Sequence, residues 1–145
     1  MKKKSWAVLG VVLAVLLAAI AIVSKVKGGC TSMIECSSGM VPMKCHWTFV
    51  ATCYVGVAGA VMALLGSFAA SCEGRRLSVA AAGICSAVAM LLASPAGIGT
   101  CAHADSLCNG TAAIVYGLGA VAIVLAAIMA LKADPAAAER PKMSL

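Results

Sequence analysis

Four uncharged apolar runs divide the chain, at residues 6–23, 47–70, 77–94 and 111–131. Each holds 18 residues or more, enough to cross about 30 Å of hydrocarbon at about 1.5 Å per residue. Between them lie segments with charges, Gly, Pro and Cys. Backbone groups in lipid must bond within their own segment, so each run predicts a helix. The predicted fold is all-α: a polytopic bundle of four transmembrane helices. A single membrane domain over residues 1–133 is expected, with Cys-rich outer loops at 24–46 and 95–110. A short mobile tail, 134–145, follows it.

Element ends carry their own signals. Lys2, Lys3 and Lys4 precede the first run as they would a signal peptide, but the run is longer than a signal's apolar region and reads as an uncleaved anchor. Pro95 should stop the third helix, because proline cannot donate to the ladder. Asn109-Gly110-Thr111 offers N-cap chemistry to the fourth, and Asp134-Pro135 should end it. Small residues recur four apart, as Gly10/Ala14/Ala18, Gly56/Ala60, Gly59/Ala63, Gly83/Ala87 and Ala113/Gly117. Such rows let helix backbones approach in lipid, where burying Leu drives no association. Trp6 and Trp47 stand at opposite membrane boundaries and read as interfacial anchors.

Composition narrows the class. Of 145 residues, 63% are apolar and 11% charged, which excludes an ordinary soluble enzyme of this size. Eight of the eleven basic residues fall on one side: Lys2, Lys3, Lys4, Arg75, Arg76, Lys132, Arg140 and Lys142. Lys25, Lys27 and Lys44 fall on the other. The basic side should be cytoplasmic, so both termini are expected inside. The net charge of +6 is then a topology signal, and no nucleic-acid partner is expected. No Asp, Glu, Lys, Arg or His lies within any span. Pumps and charged-solute transporters need such groups.

Chemistry must then come from the outer loops. Cys30, Cys36 and Cys45 lie in the first, and Cys101 and Cys108 in the second. Outside thiols usually pair, which makes Cys36, Cys45, Cys101 and Cys108 disulfide candidates. One clip per loop, Cys36–Cys45 and Cys101–Cys108, is the neatest pairing. A bridge between loops, tying the second helix to the fourth, is the alternative, since spacing does not settle connectivity. A redox reading uses Cys45, Cys101 and Cys108. Cys45 stands between Lys44 and His46 at a helix start, a setting that favours thiolate. A metal reading uses Cys45, His46, Cys101 and Cys108, with Met33, Met40 and Met43 nearby. Thiolate with thioether suits copper(I), and Cys with His suits zinc. No cofactor is expected on the structural reading; copper or zinc belongs to the alternative.

The string Met43-Lys44-Cys45-His46-Trp47-Thr48 opens the second run, and Cys101 and Cys108 precede the fourth. This pattern resembles the Domain of Unknown Function 4418 family of small bacterial four-helix membrane proteins. The resemblance implies a multi-pass protein of the bacterial inner membrane and promises no activity. Members tend to be encoded beside export-type ABC transporter components. That implies a non-enzymatic accessory subunit in contact with lipid and with such a permease, or with copies of itself. The chain has no Gly-rich phosphate loop and cannot supply ATPase activity.

Overall fold

The computed structural model describes residues 3–28, 33–37, 39–100 and 106–132, with backbone only for Lys3, Lys4, Ile34 and Cys36. The elements are α1 Lys3–Val26, β1 Met33–Cys36, β2 Gly39–Pro42, α2 Lys44–Phe68, α3 Cys72–Ala93 and α4 Leu107–Lys132. All four helices are long and apolar enough to span a membrane. Their 22 to 26 residues extend past the apolar runs at most ends, since a helix does not stop where the hydrocarbon does. The tail expected over 134–145 lies outside the described residues.

Each helix packs against its neighbours in sequence, and α4 closes on α1. The helices alternate in direction: Trp6 at the start of α1 meets Gly66 near the end of α2, and Thr111 at the start of α4 meets Lys27 just past α1. The result is an up-down-up-down square.

Buried positions follow one spacing. They run Trp6, Gly10, Leu13, Leu17, Ile20, Ser24 in α1, and Cys45, Phe49, Thr52, Gly56, Gly59, Ala63, Gly66 in α2. In α3 they are Val79, Ala82, Ser86, Ala89, Ala93, and in α4 Cys108, Ala112, Val115, Gly119, Ala122, Ala126, Met129. Every step is three or four residues in alternation, the heptad seam of a left-handed bundle. α1 supplies the bulk and the other three supply mainly small residues, so the backbones approach closely. A Cβ at Gly56 would stand 3.1 Å from the Leu17 carbonyl oxygen, and one at Gly59 2.9 Å from Cys85 Cβ.

The small-residue row expected in the fourth helix is displaced. Ala113 and Gly117 are exposed, and a Cβ at Gly117 would meet nothing within 4 Å. The packing row is Ala112, Gly119, Ala122 and Ala126. In an Ala-rich helix, pairs four apart occur on every face; the phase of the heptad decides which one packs. Ser86 Oγ donates to the Gly119 carbonyl at 3.1 Å and ties α3 to α4 on the correct face.

Trp6 is not a lipid-facing anchor. It is buried, and its indole Nε1 donates to the Gly66 carbonyl at 3.2 Å. Gly66 is among the last four residues of α2, whose carbonyls have no intrahelical donor. Two arginines near the start of α3 act alike. Arg75 Nε donates to Ala69 O at 2.8 Å and Arg76 Nε to Ala130 O at 3.2 Å, placing cations at the C-terminal ends of α2 and α4. Ser71 caps α3 by accepting from Gly74 N–H at 3.1 Å.

At the third helix the expected stop holds. α3 ends at Ala93, and Ser94 before Pro95 is extended, with φ −82° and ψ 160°. At the start of the fourth the expected cap does not hold. α4 begins at Leu107, so Asn109 lies inside the first turn and does not cap it. The hairpin β1–β2 is an addition to the all-helical expectation. It is antiparallel, pairing Met33 with Pro42 and Cys36 with Gly39, and Gly39 takes φ +122° at its tip. Ser37, Ser38 and Gly39 were the readable turn signal.

Candidate functional site

The end of the bundle that carries the hairpin holds Cys45, His46 and Cys108 of the residues singled out by sequence. Four helix termini meet there, and each leaves unpaired backbone groups. Threonines join them. Thr48, the fifth residue of α2, shares its hydroxyl proton between Gly99 O at 2.7 Å and Lys44 O at 3.2 Å. Gly99 has φ +78°, a conformation that favours glycine, and its N–H donates to Leu92 O at 3.1 Å, capping α3. Thr100 Oγ1 donates to Asn109 Oδ1 at 2.6 Å. Thr111 Oγ1 reaches Leu107 O at 2.9 Å and Lys27 O at 3.1 Å, binding α4 to the end of α1. Thr48, Thr52 and Thr111 are all buried. The cap is thus a set of hydrogen bonds that ties together the ends of all four helices.

Within it lie two thiols. Cys45 and Cys108 are the second residues of α2 and α4, and both are buried. They share one buried cluster with Phe49, Ala93 and Ala112, against which Met43 and Tyr116 pack. Of the family string, Cys45 and Thr48 point inward. Lys44 and Trp47 are exposed, and half-buried His46 sets its ring edge-on to Trp47, with centroids 5.6 Å apart and planes at 86°. Trp47 keeps the outward position expected of an interfacial anchor.

The structure therefore brings Cys45 and Cys108 together and leaves His46 with Trp47, outside their cluster. Cys36 has its backbone at the hairpin tip, paired with Gly39. Its side chain, Cys101, Cys30, His103 and Asp105 lie outside the described residues. Cys72 lies at the opposite end of the bundle, while Cys53 and Cys85 are free, half-buried thiols within the spans. Among the described residues, no three of His, Cys, Asp and Glu converge as a metal set. Sequence reasoning missed the Thr100–Asn109 and Thr111–Lys27 ties. The threonines were visible, but Thr111 finds its acceptor 84 residues away and Thr100 finds its own across the loop before α4.

A family model described as a domain of unknown function, DUF4418, matches residues 4–132. The chain belongs to the DUF4418 family. The match spans all four helices and the cap, so the family string and the cysteine cluster are parts of one DUF4418 domain. No curated protein and no solved structure matches the chain.

Within this DUF4418 domain the cap bonds can be tested singly. Thr48→Val keeps the shape of the side chain and leaves the buried Gly99 carbonyl without its donor. It is expected to cost about 1–3 kcal/mol. Thr52 donates only to Thr48 O at 2.8 Å, within its own helix, so Thr52→Val should lie within about 0.5 kcal/mol of wild type. Unfolding by SDS titration in mixed micelles compares the two. Equal stability would show that Gly99 is not held through Thr48.

Proposed function

We propose that this multi-pass membrane protein is a non-enzymatic accessory subunit of a bacterial inner membrane. On this reading both termini are cytoplasmic, the hairpin end is outside, and the partner is an export-type ABC transporter permease. The observation that carries it is the seam. From Trp6 to Met129 the described seam positions hold only apolar residues, Gly, Ser and Thr. The hydroxyls of Thr52, Ser67 and Ser86 are bonded to backbone carbonyls. Such an interior is built for packing and offers no chain of ionisable groups to carry a proton or an ion. The basic residues Arg75, Arg76 and Lys132 share one end, which supports placing that end inside.

The displaced row on α4 suits the same role. Ala113 and Gly117 face away from the bundle and leave room for another helix to approach closely. Purification in mild detergent, read by native mass spectrometry, tests the assignment. A stoichiometric complex with a permease is expected, and Gly117→Leu should abolish it while leaving the isolated bundle as stable as wild type. A chain that runs alone, or only with copies of itself, would overturn the partner.

A second reading has one specific observation in its favour, the common cluster of Cys45 and Cys108. A buried dithiol there can close into a disulfide joining α2 to α4, which would be the bridge between loops, or it can hold a soft metal ion.

A further inference from the structure

We propose that Cys45, Cys108 and Met43 form a three-sulfur copper(I) site at the hairpin end of the bundle. The inference rests on the second reading above and narrows it to one ligand. Three observations converge on it. Two thiols from different helices and one thioether belong to the same buried cluster, whose other described members are Phe49, Ala93, Ala112 and Tyr116. Thiolate and thioether donors select copper(I). Zinc takes four ligands drawn from Cys, His and carboxylates. Among the described residues no three of these converge, and His46 is engaged with Trp47.

The second observation is electrostatic. Two thiolates with one copper(I) carry a net charge of −1 in a buried place. Both cysteines lie in the first turn of their helix, where orphan N–H groups and the positive end of the helix dipole favour negative charge. No side chain caps the start of α2, since Met43 at its N-cap makes no side-chain hydrogen bond. Loading the site transfers copper(I) from its chelator to the three sulfurs and releases the two thiol protons to solvent; no electron moves.

The third is access. The hairpin register puts Met33 and Met40 on one face, as diagonal neighbours. They are 57% and 60% exposed, unusual for methionine, and offer thioethers to solvent on the segment that leads into Met43. An ion held weakly on this face would sit on the segment that runs directly into Met43.

The test uses the full chain purified in detergent, reduced by a phosphine without thiols and kept anaerobic. Copper(I) is supplied from a chromogenic chelator complex. One equivalent should be taken up, with an X-ray absorption first shell of sulfur alone. Cys45→Ser and Cys108→Ser should each weaken uptake more than about 100-fold, since even outer-shell changes at metal sites cost about 10–100-fold. Met43→Leu should weaken it about 10-fold, and Cys53→Ser should leave it unchanged. Thermal unfolding in detergent accompanies each variant, and Cys→Ala replaces any Cys→Ser variant that does not fold. Absence of uptake by the reduced wild type would overturn the proposal, as would nitrogen in the first shell or uptake indifferent to Cys45 and Cys108. If both thiols react with an oxidant to form a disulfide but the reduced chain takes no copper, the copper site fails and the dithiol reading survives. If neither thiol reacts with copper or oxidant, both fail. Permease co-purification is independent of these outcomes.

Discussion

Gly59→Leu is expected to destabilise the bundle by about 3 kcal/mol, the upper part of the range for overpacking a close-packed interior. Gly59 lies where α2 is wedged between α1 and α3. A Cβ alone would stand 2.9 Å from Cys85 Cβ, which cannot withdraw without moving its helix, and 3.2 Å from a Leu17 methyl. Leu64, one turn on, is 41% exposed and faces away from the seam. Lipid tails are as apolar as its side chain, so Leu64→Ala should change stability by about 0.5 kcal/mol or less. SDS unfolding of both variants measures the difference. Equal stabilities would mean that α2 does not approach α1 and α3 through small residues.

The second large effect separates the two tryptophans. Trp6→Ala should cost about 3–5 kcal/mol, the range for removing a buried large aromatic. It deletes a side chain that is 4% exposed and strips the Gly66 carbonyl of its donor at the end of α2. Trp47→Ala removes a side chain that is 55% exposed and should cost less than about 1 kcal/mol. Its effect should fall on helix depth or tilt. Trp6→Phe should recover most of the packing but not the hydrogen bond, leaving a deficit of about 1 kcal/mol. If Trp6→Ala and Trp47→Ala proved equally mild, Trp6 would be an interfacial anchor after all.

These two cases show where sequence reasoning reached and where it stopped. The four spans were legible because lipid forbids unpaired backbone, so an uncharged apolar run of this length has one solution. The two tryptophans look alike as residue types at membrane boundaries. What separates them is phase: Trp6 is in heptad step with Gly10, Leu13 and Leu17, whereas Trp47 falls between Cys45 and Phe49 on the opposite face. Phase also decided the fourth helix, where the seam passes through Gly119 and not Gly117. Ala and Gly are so frequent there that a four-residue spacing alone selects no face.

The candidate site was legible in part for a different reason. Cys45 and Cys108 were readable as thiols beside the same membrane boundary, each near the start of a helix. Their common cluster is a consequence of the square: α2 and α4 start at the same end, and the heptad turns both thiols inward. Nothing local states that. The hairpin escaped because four-residue strands in a polar loop give too short an alternation to count. The tie from Thr111 to Lys27 escaped because its acceptor belongs to a segment whose place depends on the whole bundle.

The account rests on the hairpin end being a sealed cap outside the membrane, with Cys45 and Cys108 inside it. Labelling Ser37→Cys protein in intact cells with a membrane-impermeant maleimide, read site by site by peptide mass spectrometry, measures this directly. Ser37 is exposed beside the hairpin tip, so its cysteine should label fully. Cys45 and Cys108 should stay unlabelled until the protein is unfolded and reduced. An unlabelled position 37 together with a labelled Cys72, or ready labelling of Cys45 in the folded protein, would contradict it.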